Sequence, residues 1–263
     1  MDPSPPPDLL DLAERAALRG GRVVLAGPAD RADRKGRGDY VTEVDRRSEA
    51  AVAAVLAAGA PGIPVHGEEG GGETGQRYWL VDPLDGTTNH LHGFPVVGVS
   101  VALVEGGRPV VGVVHAPFLG ETYRAARGLG ATLVRADGPP TPLRVSDREP
   151  RHAVVGTGFP FRRKELLPRY LRMLTAALDR FEDLRRPGAA SLDLAWVAAG
   201  VFDGFFELSL SSWDVAAGAL LIEEAGGVVT DWGGGPGYLG GSILAGPPAV
   251  HRALLELATA TAD

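Results

Sequence analysis

The feature that most constrains this chain is the stretch 78–89, which reads YWLVDPLDGTTN. Residues 78–81 are four bulky apolar side chains in a row, a pattern that favours a fully buried strand. Asp82 and Asp85 follow at once, and a free carboxylate at the end of a buried strand is costly unless it is paired or bound to a metal. The chain must therefore fold so that hydrogen-bond donors or a cation reach this point.

The residues between and after the two aspartates favour a turn and the start of a helix. Pro83 fixes φ and is expected to stop the strand, and Gly86 permits a tight turn. Thr87 or Thr88 is expected to cap a short helix, whose N-terminus attracts phosphate oxygens. An Asp-Pro turn by itself more often only accepts backbone hydrogen bonds, but buried carboxylates attract hard cations such as Mg²⁺ or Ca²⁺. The stretch therefore predicts metal-assisted phosphate chemistry.

Composition limits the partners that such a site can serve. The 263 residues are 44% apolar, enough for one large α/β domain or two closely packed halves. The net charge is 26 − 33 = −7, which argues against a nucleic-acid groove, so a phosphate site must draw its positive charge mostly from metal. There is no cysteine, the N-terminus is acidic and proline-rich, unlike a signal peptide, and no apolar run approaches the ~20 residues of a membrane helix. We therefore expect a cytoplasmic protein that binds neither nucleic acid nor membrane.

The periodicity of the N-terminal half, about 8–147, predicts two helices and a β-meander. One helix spans 8–25 and is expected to be interrupted at Gly20-Gly21, and the other spans 46–59. The basic, aperiodic segment 29–39 is expected to be a mobile surface loop. Short strands are expected at 40–44, 63–66, 78–81, 96–105, 109–116, 121–126, 131–134 and 143–145.

The C-terminal half, about 148–263, alternates between strand and helix patterns. Helices are expected at 165–184, 191–199, 213–225 and 249–260, and strands at 153–156, 202–208, 228–230 and 242–245. Neither repeats nor a long linker separates the halves, so we expect one domain over 1–263, of the α/β (α+β) class, with a mixed sheet in each half.

Acidic residues outside the opening stretch have ordinary explanations when each is taken alone. Asp45 is either the N-cap of the second helix or a site carboxylate. Glu68 and Glu69 precede a glycine run, and adjacent glutamates in such a position are usually exposed loop residues. Asp214 falls in the first turn of a helix, where the dipole alone stabilises a carboxylate by ~0.3–1 kcal/mol. The pattern G-x-G-x-x-G at 235–240 is followed by a strand pattern and not a helix, so it does not indicate dinucleotide binding.

Several segments form an ordered set across roughly residues 35–230. The principal ones are GEE at 67–69, DPLDGTTN at 82–89, WDVAAG at 213–218 and EAGG at 224–227. Supporting ones are DYVTEVD at 39–45, GFP at 93–95, GTGFPF at 156–161 and GAASLD at 188–193. In this order they resemble the inositol monophosphatase family of magnesium-dependent, lithium-sensitive phosphatases. The resemblance implies a layered α-β-α-β-α sandwich with two mixed or antiparallel sheets, and a homodimer.

The resemblance also implies roles for individual residues around two or three Mg²⁺ ions. The implied ligands of a first ion are Glu68, Asp82 and the Leu84 carbonyl, and those of a second are Asp82, Asp85 and Asp214. The residues implied to be catalytic are Asp45 and Thr87, which orient and deprotonate the attacking water, and Glu68.

The remaining implied roles concern the substrate and the surroundings of the metals. The implied substrate-binding positions are the backbone N–H groups of Gly86 and Thr87 for phosphate, with Asp85, Gly188, Ala190, Glu207 and Asp214. Glu69 is implied to support the metal ligands, and Lys35 to lie on a mobile loop near them. Two segments depart from the family pattern, AGPP at 245–248 and the glycine-rich loop 233–241, and both are expected to reshape the wall of the substrate pocket.

The function that the resemblance implies is Mg²⁺-dependent hydrolysis of inositol monophosphate by in-line attack of a metal-activated water. Related substrates remain open: fructose 1,6-bisphosphate, histidinol phosphate and adenosine 3′,5′-bisphosphate. Thr88-Asn89 favours inositol over the adenosine-bisphosphate branch, which tends to have lysine there. A protein of a different class, a non-catalytic cation-binding regulator with this fold, is the second alternative.

Overall fold

The computed structural model describes residues 7–27, 32–36, 39–136 and 138–262. The helices are α1 (Pro7–Ala26), α2 (Glu43–Gly59), α3 (Thr87–Leu91), α4 (Leu167–Arg180), α5 (Ala190–Ala198), α6 (Ser212–Glu224) and α7 (Pro248–Ala260). The first nine strands are β1 (Ala32–Gly36), β2 (Asp39–Thr42), β3 (Val65–Gly67), β4 (Arg77–Asp85), β5 (Gly98–Glu105), β6 (Arg108–Ala116), β7 (Glu121–Ala126), β8 (Ala131–Arg135) and β9 (Thr141–Pro142). The others are β10 (Val154–Thr157), β11 (Asp183–Arg185), β12 (Gly204–Glu207), β13 (Val228–Thr230) and β14 (Ile243–Gly246). Within these residues, no helix combines the length and the apolar character that crossing a bilayer requires.

The elements stack in five layers around two mixed sheets. The larger sheet has the order β3-β4-β5-β6-β7-β8-β9 and is antiparallel except for the β3–β4 pair. The smaller sheet has the order β11-β10-β12-β14-β13, with β10 parallel to both of its neighbours. One apolar cluster joins α1 and α2 to the larger sheet, a second packs α5 and α6 between the sheets, and a third joins α4 and α7 to the smaller sheet. The expected α-β-α-β-α sandwich is confirmed.

Helix α1 runs through Gly20 and Gly21 without a break, so the expected interruption is wrong. A β-carbon at Gly20 would lie 2.8 Å from Val52 Cγ2, and one at Gly21 would lie 2.4 Å from His115 Cδ2. The glycines therefore let α1 approach α2 and the larger sheet closely. Packing of this kind outweighs the ~1 kcal/mol by which a glycine disfavours a helix interior.

The segment expected to be a mobile loop, 29–39, contains a strand instead. Residues 32–36 form β1, which pairs antiparallel with β2, and the pairing includes Arg34 with Tyr40. The strand forms through backbone hydrogen bonds to β2, although its side chains show no apolar alternation. Residues 29–31 and 37–38 lie outside the described part of the chain, as does the side chain of Lys35.

Strand β4 does not stop at Pro83, contrary to the sequence expectation, but continues to Asp85. Asp82 pairs with Ser100 and Asp85 with Gly98, so β4 holds one more residue than β5 at this point, a β-bulge. A bulge accommodates the missing N–H of proline and re-aims the side chains around it. The Ser48 hydroxyl of α2 donates to the Pro83 carbonyl at 2.8 Å and holds the bulge in place.

Three further local expectations are wrong. Thr87 and Thr88 do not cap α3, because Gly86, at φ 92°, is the N-cap residue and has no side chain to do so. The helix expected at 165–184 is α4, which ends at Arg180 and leaves room for the short edge strand β11. The strand expected at 143–145 is displaced to β9, which is two residues long. Short edge strands such as these carry too few residues to show a periodic pattern.

Candidate active site

A cavity of about 430 Å³ lies where the ends of β4 and β12 meet the first turns of α3, α5 and α6. Ten of the thirteen residues named from the sequence line it: Glu68, Asp82, Leu84, Asp85, Gly86, Thr87, Gly188, Ala190, Glu207 and Asp214. Asp45 lies behind the wall and is hydrogen-bonded to Thr87, which lines the cavity, and Glu69 does not line it. The side chain of Lys35 lies outside the described part of the chain. Residues far apart in the chain therefore meet at one place, through both sheets.

Asp82 is a deeply buried carboxylate of the cavity, with 1% of its surface exposed. Burial raises the pKa of Asp82 well above its ordinary value, and the nearby charges of Glu68, Asp85 and Asp214 raise it further. The Leu84 N–H donates to Asp82 Oδ1 at 3.0 Å across the bulge. One hydrogen bond does not balance the desolvation of a carboxylate among three others, so this position favours a cation.

Asp85 is held by the start of α5. The Ser191 N–H and hydroxyl donate to Asp85 Oδ2 at 2.7 and 2.6 Å. Burial and the charge of Asp214 nevertheless raise the pKa of Asp85 to about 7. The carboxylate is therefore oriented by α5 but is not neutralised by it.

Asp214 combines a structural role with a place in the cavity. Its Oδ2 accepts from the Ser211 N–H at 2.7 Å in a capping box at the start of α6. Burial raises the pKa of Asp214 even so, although the Ser211 N–H opposes the rise. Asp214 can therefore stabilise the start of α6 and line the cavity at the same time.

Asp45 also serves a helix and the site together. As the third residue of α2 it forms a capping box with Thr42, whose N–H donates to Asp45 Oδ2 at 2.8 Å. Its other oxygen, Oδ1, accepts from the Thr87 hydroxyl at 3.0 Å. The same hydroxyl lies 3.2 Å from the Leu84 carbonyl oxygen. Thr87 therefore links the carboxylate of α2 to the floor of the cavity.

The donor set of the cavity fits a hard divalent cation. It consists of carboxylates and one carbonyl, the oxygen ligands that Mg²⁺ and Ca²⁺ take, on Glu68, Asp82, Leu84, Asp85 and Asp214. As they stand, no three acidic or histidine side chains of the described ranges converge tightly enough to be assigned to one ion. Asp82, Asp85 and Asp214 are each turned toward an N–H donor of their own. The charges of Glu68, Asp85 and Asp214 repel that of Asp82, and a cation is the partner that would offset the repulsion.

Glu49 is a residue of the site region that sequence reasoning missed. It is buried on α2, and its carboxylate accepts from the N–H groups of Glu69 at 2.8 Å and Gly70 at 2.6 Å. A β-carbon at Gly67 would lie 2.3 Å from Glu49 Oε2, so the glycine leaves room for the carboxylate. Glu49 thus holds the loop that carries Glu68. The sequence signal that could have found it is its position four residues after Asp45, which puts both carboxylates on the same face of α2.

The wall opposite the carboxylates centres on Glu207. Burial, followed by the charge of Asp214, raises the pKa of Glu207 to about 8. A β-carbon at Gly158 would lie 2.1 Å from Glu207 Oε1, so only glycine leaves room for the carboxylate. Gly188, at φ 96°, and Ala190 complete this side of the cavity.

Sequence reasoning also missed the cationic and aromatic part of this wall. The Arg186 guanidinium carbon lies 5.5 Å from the centre of the Phe159 ring and 5.4 Å from that of Phe161, distances typical of cation–π contacts. Its charge opposes the rise in the pKa of Glu207. Asp193, on α5, lines the cavity as well. The motifs at 156–161 and 188–193 contained three of these residues, but spacing alone assigned them no role.

The two segments that depart from the family pattern, 233–241 and 245–248, do not line the cavity. The glycine-rich loop folds around Asp231, whose carboxylate accepts from the N–H groups of Gly233, Gly235 and Gly237 at 2.8, 2.9 and 3.2 Å. Its contact with the wall is indirect, because a β-carbon at Gly241 would lie 1.8 Å from the carbonyl oxygen of Leu210, which lines the cavity. The strand β14 that follows the loop confirms that its glycine pattern does not open a helix.

The raised pKa values predict how the stability of the metal-free protein depends on pH. The pKa rises from 3.8 to about 7 for Asp85 and from 4.5 to about 8 for Glu207, so the folded chain holds protons that the unfolded chain releases. The contribution of these two groups to the free energy of unfolding is therefore fully present below about pH 4, and it is lost as the pH rises through 7 and 8. In EDTA, we expect the melting temperature to drop by about 5 °C or more between pH 5 and pH 8. Thermal melts across this range test it, and a rise toward pH 8 would contradict it.

Two relatives match nearly the whole chain. A protein of Mesorhizobium japonicum named inositol-1-monophosphatase is 42% identical over 257 residues, which cover 94% of this chain and 95% of that protein. A protein of Pseudomonas aeruginosa named Nus factor SuhB is 44% identical over 261 residues, 94% of each chain.

Solved structures of the same fold superpose closely. The inositol monophosphatase of Anabaena matches with a TM-score of 0.85 at 36% identity, over 96% of this chain and 95% of that one. The suhB extragenic suppressor protein of Bartonella henselae matches with a TM-score of 0.89 at 37% identity, over 95% and 98% of the two chains. The description of the family model that matches residues 8–262 is "Inositol monophosphatase family". The resemblance of the motifs is therefore confirmed, and the chain belongs to the inositol monophosphatase family.

Proposed function

We propose that this protein is a Mg²⁺-dependent phosphomonoesterase that hydrolyses inositol monophosphate to inositol and phosphate. The observation that carries the proposal is the group of four mutually repelling carboxylates that line the cavity beside Thr87 and Asp45. The name of the Mesorhizobium relative, inositol-1-monophosphatase, supports the same substrate. Family membership by itself supports a phosphatase of this family.

Glu68, Asp82, Asp85 and Asp214, with the Leu84 carbonyl, are the residues that would hold two or three Mg²⁺ ions in this proposal. Bound divalent cations supply a more acidic water and positive charge for the phosphoryl and leaving oxygens. This contribution is needed because the uncatalysed hydrolysis of a phosphate monoester requires up to ~10²¹-fold acceleration. A general base contributes only about 10²–10⁴-fold.

Asp45 and Thr87 are proposed to position and deprotonate the attacking water. The Thr87 hydroxyl, which donates to Asp45 Oδ1 at 3.0 Å, would accept the water proton as it passes its own proton to the carboxylate. The backbone N–H groups of Gly86 and Thr87 are proposed to bind the phosphate. Neither a serine nor a cysteine nucleophile is assigned, so we expect no covalent phosphoenzyme.

The test is phosphate release from four esters with and without Mg²⁺ and lithium. We expect the highest kcat/KM for inositol 1-phosphate, above fructose 1,6-bisphosphate, histidinol phosphate and adenosine 3′,5′-bisphosphate, with no turnover in EDTA. Inhibition by lithium and pairing as a homodimer belong to the same proposal. A preference for either bisphosphate would overturn the substrate assignment.

A regulatory function is the second candidate, because relatives from Pseudomonas aeruginosa and Escherichia coli carry the name Nus factor SuhB at 44% and 40% identity. That name belongs to those proteins. For this chain, absence of turnover on every ester, with Mg²⁺ binding intact, would favour the regulatory function. Turnover that depends on Mg²⁺ would favour the enzyme.

A further inference from the structure

Asp193 carries a buried oxygen with no hydrogen-bond partner among the described residues. The residue lies on α5, two residues after Ser191, which holds Asp85, and only 1% of its surface is exposed. Its Oδ1 is fully buried and has no hydrogen-bond partner within the described residues. The residue also lines the cavity. Buried polar atoms almost always have partners, so an unpaired oxygen at a cavity wall indicates that a ligand supplies one.

The groups around Asp193 define what kind of ligand that is. The charges of Asp85 and Glu207 act on it repulsively, and that of Arg186 acts on it attractively. Asp85 is already held by two hydrogen bonds from Ser191. Arg186 lies against the rings of Phe159 and Phe161. Asp193 and Glu207 therefore form a wall of hydrogen-bond acceptors beside the metal-ligand group.

We propose that Asp193 binds a hydroxyl group of the substrate and thereby selects esters of polyols against esters with a second phosphate. The inference rests on the proposed phosphatase activity and assigns a specificity-determining residue to it. A hydroxyl can donate the hydrogen bond that Asp193 Oδ1 lacks. A second phosphate dianion placed at this wall has no hydroxyl to donate and would bring only acceptor oxygens against the wall.

The experiment compares three esters in the magnesium-loaded full chain: inositol 1-phosphate, p-nitrophenyl phosphate, which has no hydroxyl groups, and fructose 1,6-bisphosphate. The variants are Asp193→Asn, which keeps the size of the side chain, and Asp193→Ala. Asp179→Asn, on the exposed side of α4, is the matched control. Thermal melts show whether each variant is folded. Calorimetric titration with inositol measures binding without turnover.

Asp193→Ala should raise KM for inositol 1-phosphate by about tenfold or more, the scale of one lost hydrogen bond to a charged group, and weaken inositol binding equally. KM for p-nitrophenyl phosphate should stay within about twofold, and Asp193→Asn should lower KM for the bisphosphate because the amide can donate to a phosphate oxygen. If a folded variant changes both monoesters equally, Asp193 is structural and the inference is overturned. If Asp193→Asn is the only folded variant, a changed KM for inositol 1-phosphate with a lower KM for the bisphosphate supports the inference. Unchanged KM values for both esters overturn it. If the wild type releases phosphate from none of the three esters, the proposed function itself fails, and the inference with it.

Discussion

Replacing Asp85 with asparagine should reduce phosphate release at saturating Mg²⁺ by about a thousandfold or more. The carboxylate is half-buried and is oriented by two hydrogen bonds from Ser191, and its desolvation, followed by the charge of Asp214, raises its pKa to about 7. Asparagine keeps the shape but removes a negative charge that the proposed cation site needs. A thousandfold lower rate corresponds to the loss of about 4 kcal/mol of transition-state stabilisation, because each ~1.4 kcal/mol changes the rate tenfold. Phosphate release under saturating substrate measures it.

The same substitution should have the opposite effect on the metal-free protein. Removing one charge from a repelling group of buried carboxylates should raise the melting temperature of Asp85→Asn above that of the wild type in EDTA at pH 8. Asp179→Asn, which is exposed on α4, should change neither rate nor melting temperature. A near wild-type rate for Asp85→Asn in saturating Mg²⁺ would show that the proposed scheme is wrong.

Replacing Glu49 with alanine should raise the Mg²⁺ concentration needed for half-maximal activity by about 10–100-fold. Glu49 is not a proposed ligand, but it accepts both N–H groups of the loop that carries Glu68. Without the carboxylate, the Glu69 and Gly70 N–H groups lose their partners, and the loop loses its fixed position. We expect the rate at saturating Mg²⁺ to recover largely, since the proposed ligands themselves remain. Calorimetric Mg²⁺ titration should show the same weakening without turnover.

The conservative variant separates positioning from general destabilisation. Glu49→Gln keeps one acceptor oxygen and nearly the same volume, so its Mg²⁺ requirement should lie between those of the wild type and of Glu49→Ala. Glu43→Ala is the matched control on the same helix, because the Glu43 side chain is 71% exposed. Equal Mg²⁺ affinity in Glu49→Ala and the wild type would contradict the role given to this residue.

Much of the fold was predictable because its strongest signals are local. The hairpin of β5 and β6, the helices α2, α5, α6 and α7, and the mixed character of both sheets follow from periodicity and turn residues. The errors lie where long-range packing competes with local preference. Gly20 and Gly21 remain helical because α1 packs closely there, and Pro83 remains in a strand because a bulge absorbs it.

The candidate reactive groups of this protein were determined by the sequence alone. Two aspartates at the end of a buried strand, a glutamate pair before a glycine run and an aspartate at a helix start were readable from residue type and spacing, and their order indicated the family. The motifs also placed Thr87 and Asp45 in the set. Residue type decides which atoms can bind a cation or carry a proton, and residue type needs no tertiary information.

Only the tertiary structure decided which of these groups meet and what surrounds them. It brings Asp85 to α5 and Asp214 to the same cavity, and it places Asp82 near the charges of three other carboxylates. Glu49 and Asp193 gain their importance from the same folding, one by holding a loop and the other by leaving an oxygen unpaired. The physical reason is that burial, repulsion and hydrogen-bond satisfaction depend on distances between segments that are 20 to 106 residues apart in the chain. In the bulge of β4, Asp82 and Asp85 acquire their neighbours from both sheets, and those neighbours set their chemistry.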